Sequence, residues 1–179
     1  MIVAAVAVTA LLAAGCGGSS DSASSDTTPT EEWADGLCSS ISTWTSSLTS
    51  IVDTLKGGDL SKDSLTSAVD EAKGATETFT TSLSDLGKPD TEAGQEAKDS
   101  VDKLVTDIQA DMTEIEDAVN GASGVAGVIA AVPTISSTLS KAAEQVSSTL
   151  TGFQDLDAKG ELESAFKSSS SCQDLTSGS

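Results

Sequence analysis

The chain has 179 residues, with 28 acidic side chains against nine basic ones, for a formal net charge of -19. All nine basic residues are lysines, and there is no histidine, tyrosine or arginine. That composition disfavours histidine-based hydrolysis, most zinc sites, bidentate anion clamps and nucleic-acid binding, which needs a basic footprint.

Residues 2–14 form an uncharged apolar run. It is shorter than the roughly 20 residues a membrane-spanning helix needs, and it matches the core of a signal peptide. No Lys or Arg precedes it, which suggests a translation start upstream of Met1. The run ends in Leu12-Ala13-Ala14-Gly15-Cys16-Gly17. This ending resembles the bacterial lipobox, with Ala13 where the family usually has leucine. The resemblance implies cleavage after residue 15, a diacylglyceryl group on Cys16 and attachment to the outer face of a cell membrane.

Residues 16–30 continue as a Gly/Ser/Thr tract with nothing to bury, expected to be a disordered tether with an end-to-end distance of roughly 20 Å. A tether of this kind after a lipobox is similar to those of many actinobacterial surface lipoproteins.

Residues 31–175 read as one helical domain, with 176–179 as a tail. Thr30 is a candidate N-cap followed by Glu31 and Glu32, and Trp33, Leu37, Ile41, Trp44, Leu48, Ile51 and Leu55 recur at helical spacing up to Gly57-Gly58. Asp59 can cap a second helix, with Leu65, Val69, Ala72, Thr76, Phe79, Leu83 and Leu86 on its stripe and Gly87-Lys88-Pro89 at its end. A third helix is expected from Asp90 or Thr91 to Asn120-Gly121, with Val101, Leu104, Val105, Ile108, Met112, Ile115 and Val119 inward. A fourth is expected after Pro133, carrying Ile135, Leu139, Ala142, Val146, Leu150 and Phe153. A short last helix capped by Asp157 would bring Leu162 and Phe166 one turn apart. The expected fold is all-α, an up-and-down four-helix bundle with a short C-terminal helix.

In that topology the fourth helix ends where the first began, so Cys38 and Cys172 meet at one end of the bundle. With Cys16 lipidated, an even pair in an exported chain favours a disulfide over a metal site, and no CxxC spacing marks a redox pair.

Three features invite a functional reading. Trp33 and Trp44 lie eleven residues apart on the inner stripe, and with Phe79 they are either core or the lining of a ligand cavity. Asp107, Asp111 and Glu114, with Asp99 and Asp117 at the edge, form an acidic flank, expected to be solvated rather than a calcium site. Gly121–Val132 is uncharged and glycine-rich, either an exposed docking tip away from the anchor or the first turns of the fourth helix packed on the core. No metal, cofactor or catalytic constellation emerges.

As a whole, the early Trp33-Ala34-Asp35-Gly36-Leu37-Cys38 and the late Cys172-Gln173-Asp174-Leu175 resemble segments of small uncharacterised actinobacterial lipoproteins. The resemblance implies no activity. The expected role is protein contact at the cell envelope through an envelope partner, with binding of an apolar or cationic small molecule between helices, or a passive spacer, as alternatives.

Overall fold

The computed structural model describes residues 28–57, 61–156 and 160–177. The apolar run 2–14, Cys16 and the proposed caps Asp59 and Asp157 lie outside the described residues. Six helices follow one another: α1 (Pro29–Gly57), α2 (Lys62–Asp85), α3 (Gly94–Gly121), α4 (Gly124–Leu156), α5 (Glu161–Ser168) and α6 (Ser170–Ser177). No strand occurs among the described residues. The fold is an all-α bundle in which α1 packs on α2, α2 on α3 and α3 on α4, while α5 and α6 fold back onto α1.

Helix starts differ from the sequence expectation for local reasons. Thr28, not Thr30, caps α1: its hydroxyl accepts the Glu31 N–H at 3.2 Å, and Glu31 accepts the Thr28 N–H at 2.7 Å. This reciprocal pair satisfies two donors that a helix start leaves unpaired, with Pro29 at the first helical position where its missing N–H costs nothing. The Glu31 carboxyl is held below its ordinary range, chiefly by the Thr28 backbone N–H. Thr30 turns inward, its hydroxyl donating weakly to Asp90 O at 3.4 Å. Ser61 caps α2 by the same reciprocal device with Ser64.

The third helix begins at Gly94, later than the expected Asp90 or Thr91. A tight turn intervenes, in which the Thr91 N–H donates to Pro89 O and the Gly94 N–H to Thr91 O, both at 3.0 Å. The fourth helix begins at Gly124, nine residues before Pro133, which lies inside it. A proline there leaves the Ile129 carbonyl without its helical donor. Both residues are exposed, so water can supply one.

The core divides lengthwise. At the α1 N-terminal end, Trp33, Leu37, Ile41, Phe79, Leu83, Val101, Leu104, Phe153 and Leu162 pack together with Cys38 and Cys172. At the other end, Leu65, Val69, Ala72, Met112, Ile115, Val119 and Val128 form a second cluster. These apolar contacts, rather than helix propensity in so Ser/Thr-rich a chain, hold the helices in place.

Candidate functional site

The Trp33–Cys38 segment and the C-terminal residues meet at the α1 N-terminal end. The Trp33 indole N–H donates to Gly87 O at 3.2 Å, while its ring meets Phe153 and Phe166 edge-on, with centroids 5.6 and 6.2 Å apart. Ala34 and Leu37 are fully buried. Gly36 lies against Leu86, where an added Cβ would sit 2.6 Å from a leucine methyl. Cys38 and Cys172 are joined in a disulfide with Cα atoms 5.0 Å apart, as the topology requires.

Asp35 completes the junction. It accepts the Ser169 hydroxyl at 2.8 Å and the Ser171 N–H at 3.2 Å, and Ser169 in turn accepts the Cys172 N–H at 3.2 Å. A carboxylate on α1 therefore caps the start of α6, where unpaired N–H groups and the helix dipole favour negative charge. The Ser169 hydroxyl first, then the Ser171 N–H, holds the Asp35 carboxyl below its ordinary range. Helix α6 had no counterpart in the sequence reading. Its support comes from Asp35 and Cys38, more than 130 residues away.

Within one core cluster the three candidate aromatics enter two separate sets of ring contacts. Trp44 and Phe79 stack at 4.7 Å with planes 11° apart, and the Trp44 indole N–H donates to the Thr76 hydroxyl at 3.1 Å. Trp33 belongs instead to the cluster with Phe153 and Phe166. All three are buried as core side chains. One edge of Trp44 reaches a surface groove of about 710 Å³ between α1 and α4, bordered by Leu48, Leu139, Val146 and Leu150.

The acidic flank of α3 is not uniformly solvated, and this corrects the sequence expectation. Asp111 is only 2 % exposed. It pairs with Lys141 of α4 at 2.5 Å, and its second oxygen has no hydrogen-bond partner among the described residues. The Lys141 ammonium is held above the ordinary lysine range, first by Asp111, with Glu114 and Asp107 adding to it. Asp107 also pairs with Lys103, and Glu116 with Lys73 of α2 at 3.1 Å. These ammonium groups compete with any metal ion for the acidic face. No group of three or more potential metal-ligating side chains occurs among the described residues.

Gly121–Val132 is packed on one face and exposed on the other. Ala122, Val128 and Ala131 are buried against the distal core, so the segment does supply the first turns of α4. On the opposite face, Val125 is 73 % exposed, Ile129 61 % and Val132 40 %. Their spacing of four and three residues makes one continuous stripe. No charged residue lies between Asp117 and Lys141. By length and composition α4 is also apolar enough to cross a membrane, although its inner face packs on α3.

No family model, curated protein or solved structure matches the chain.

Proposed function

We propose that this protein is a lipoprotein anchored through Cys16 at the outer face of a bacterial membrane, acting through protein contacts made by the distal tip of its bundle. The observation that carries the reading is the Val125–Ile129–Val132 stripe, three aliphatic side chains exposed side by side in a chain of net charge -19. An exposed apolar patch rimmed by polar groups marks contact sites more often than chance. Thr28, where the tether would join, and the start of α4 lie at opposite ends of the bundle, about 40 Å apart at 1.5 Å per helical residue. The stripe would thus face away from the anchoring membrane. Stable interfaces use about 20–30 residues a side, so contact centred on three side chains suits a transient partner.

The test has two arms. Mass spectrometry of the membrane-extracted protein is expected to find an acylated N-terminal Cys16, and Cys16→Ser is expected to release the chain from membranes. A photo-crosslinking residue at Val125 should capture one recurrent envelope protein in intact cells, with capture lost on Ile129→Lys. A crosslinker at exposed Thr49 of α1 should not capture it. Equal yields from both positions would remove the basis for a docking tip.

A second reading, small-molecule binding, has its own support in the α1–α4 groove, where apolar side chains including Trp44 border an open trough. The contact reading is preferred because the stripe is the more exposed of the two apolar surfaces.

A further inference from the structure

We infer that the α1–α4 groove binds one extended apolar chain whose head group is neutral or cationic. The inference rests on the small-molecule reading above and is independent of the distal stripe.

The groove is the seam at which the bundle fails to close. Consecutive helices pack in close pairs, and α1 also carries α5 and α6, but α1 and α4 meet mainly through side chains. At the floor of the seam, Trp44 and Val146 are buried in the same core cluster. Above them, Leu48 on α1, Leu139 and Leu150 on α4 and Leu175 on α6 are only half-buried and border the trough. In a closed ring of helices these four leucines would be covered. Here each keeps part of its side chain exposed to water, a cost that an apolar occupant would relieve.

The shape selects the class of occupant. A helix with its side chains is about 10 Å across, too wide for a seam whose floor is closed by direct contact between α1 and α4 side chains. An alkyl or isoprenoid chain is much thinner. From Leu139 to Leu150 the α4 wall runs about 16 Å at 1.5 Å per residue, long enough for a medium-length chain laid along the helix. Hydroxyls such as those of Ser46 and Ser147 form the rim and can meet a polar head or water.

Charge selects the head. Among the described lining residues there is no basic group, and the one ionisable residue is Asp174. On a protein of net charge -19, a carboxylate or phosphate head would find repulsion and no counter-ion among the described lining residues. A zwitterionic, hydroxylated or ammonium head meets no such barrier.

The test is calorimetric titration of the full chain carrying Cys16→Ser, so that no attached acyl group competes. The probe is dodecyldimethylamine oxide, uncharged overall at neutral pH, kept below its micelle concentration. Dodecanoate serves as the anionic comparison. Ala143, exposed on α4 at the groove edge, provides the first position for a blocking substitution. Ala143→Glu puts a carboxylate over the apolar trough, and Ser147→Trp fills it from a second exposed position. Circular dichroism melts verify that both variants remain folded.

The expected result is saturable binding of one amine oxide per chain with a change in tryptophan emission. Affinity should fall at least about tenfold in either variant, equivalent to 1.4 kcal/mol, and dodecanoate should bind at least about tenfold more weakly. Absent saturation, or binding indifferent to both substitutions, would overturn the inference. So would equal affinity for dodecanoate, or a wild-type dimer that both substitutions dissociate, since a second copy would then be the occupant. None of these outcomes bears on crosslinking at Val125.

Discussion

The Asp35 carboxylate and the Ser169 hydroxyl, 134 residues apart, are joined by a 2.8 Å hydrogen bond, and around it the first turns of α1 and the start of α6 are held together. Asp35 also accepts the Ser171 N–H, and Ser169 accepts that of Cys172, so the cap of α6 and the disulfide form one junction. Asp35→Ala leaves these donors without their acceptor and is expected to cost about 1 kcal/mol, the usual worth of a helix N-cap. The Asp35 carboxyl titrates below its ordinary value of 3.8, so its contribution is complete above that range and is lost as pH falls through the lowered value. Denaturation curves of wild type and Asp35→Ala should therefore differ at pH 7 and converge in acid. A difference that persisted at low pH would show that Asp35 acts through packing rather than charge.

The disulfide closes a loop with a sequence separation of 134, for which the chain-entropy model gives about 5 kcal/mol. Both cysteines are buried. The native protein should therefore resist dithiothreitol for hours and be reduced quickly only in denaturant. Cys38→Ala/Cys172→Ala is expected to lower the melting temperature strongly, with α5 and α6 losing amide protection in hydrogen exchange before α2 and α3. Rapid reduction of the folded chain would mean that the junction opens locally.

Asp111 and Lys141 form a pair with unequal surroundings, a buried carboxylate and a largely exposed ammonium. Removing the ammonium with Lys141→Met strands a buried charge, whereas Asp111→Leu removes the charge itself from between Ile108 and Ile115. The expected order of melting temperatures puts Lys141→Met lowest. The double variant Asp111→Leu/Lys141→Met should melt at or above wild type, since apolar replacement of a buried pair is often neutral or stabilising. If Lys141→Met melted with wild type, the pair would be irrelevant to the packing of α3 on α4.

Much of this fold was legible because its stripes are local. Trp33, Leu37, Ile41 and Trp44 recur at helical spacing and are all buried. The same rule applied to α3 would have placed Asp111 inside, three residues after Ile108 and four before Ile115. A carboxylate is tolerated there because Lys141 of α4 reaches it. Two features depended on partners distant in sequence. Gly124, Gly127 and Pro133 argue against a helix by propensity, yet burial of Val128 and Ala131 overrides that preference and starts α4 early. The Ser-rich start of α6 shows no apolar repeat, because Asp35 and Cys38 supply what its own sequence lacks. The stripe at Val125 was visible as an uncharged segment, but which of its faces is exposed follows only from packing. The α1–α4 groove forms where two helices meet only through side chains, and no single stretch of sequence encodes it.

Two glycines in helices test whether close approach or backbone freedom governs their use. A Cβ on Gly94 would fall 2.1 Å from the Pro89 carbonyl oxygen, in the tight turn that leads into α3. Backbone cannot swing aside as a side chain can, so Gly94→Ala must displace the turn, with an expected cost of about 1–3 kcal/mol. Gly74, in the middle of α2, has no atom within 4 Å of such a Cβ. Gly74→Ala only restricts the unfolded chain and favours the helix, an expected gain of about 0.5–1 kcal/mol. For a domain of this size each kcal/mol moves the melting temperature by about 2–4 °C, so the two variants should shift it in opposite directions. If Gly94→Ala melted with wild type, the Pro89–Gly94 turn would have an alternative geometry of equal energy. Equal losses from both substitutions would instead mean that flexibility within α2, rather than contact, is what Gly74 provides.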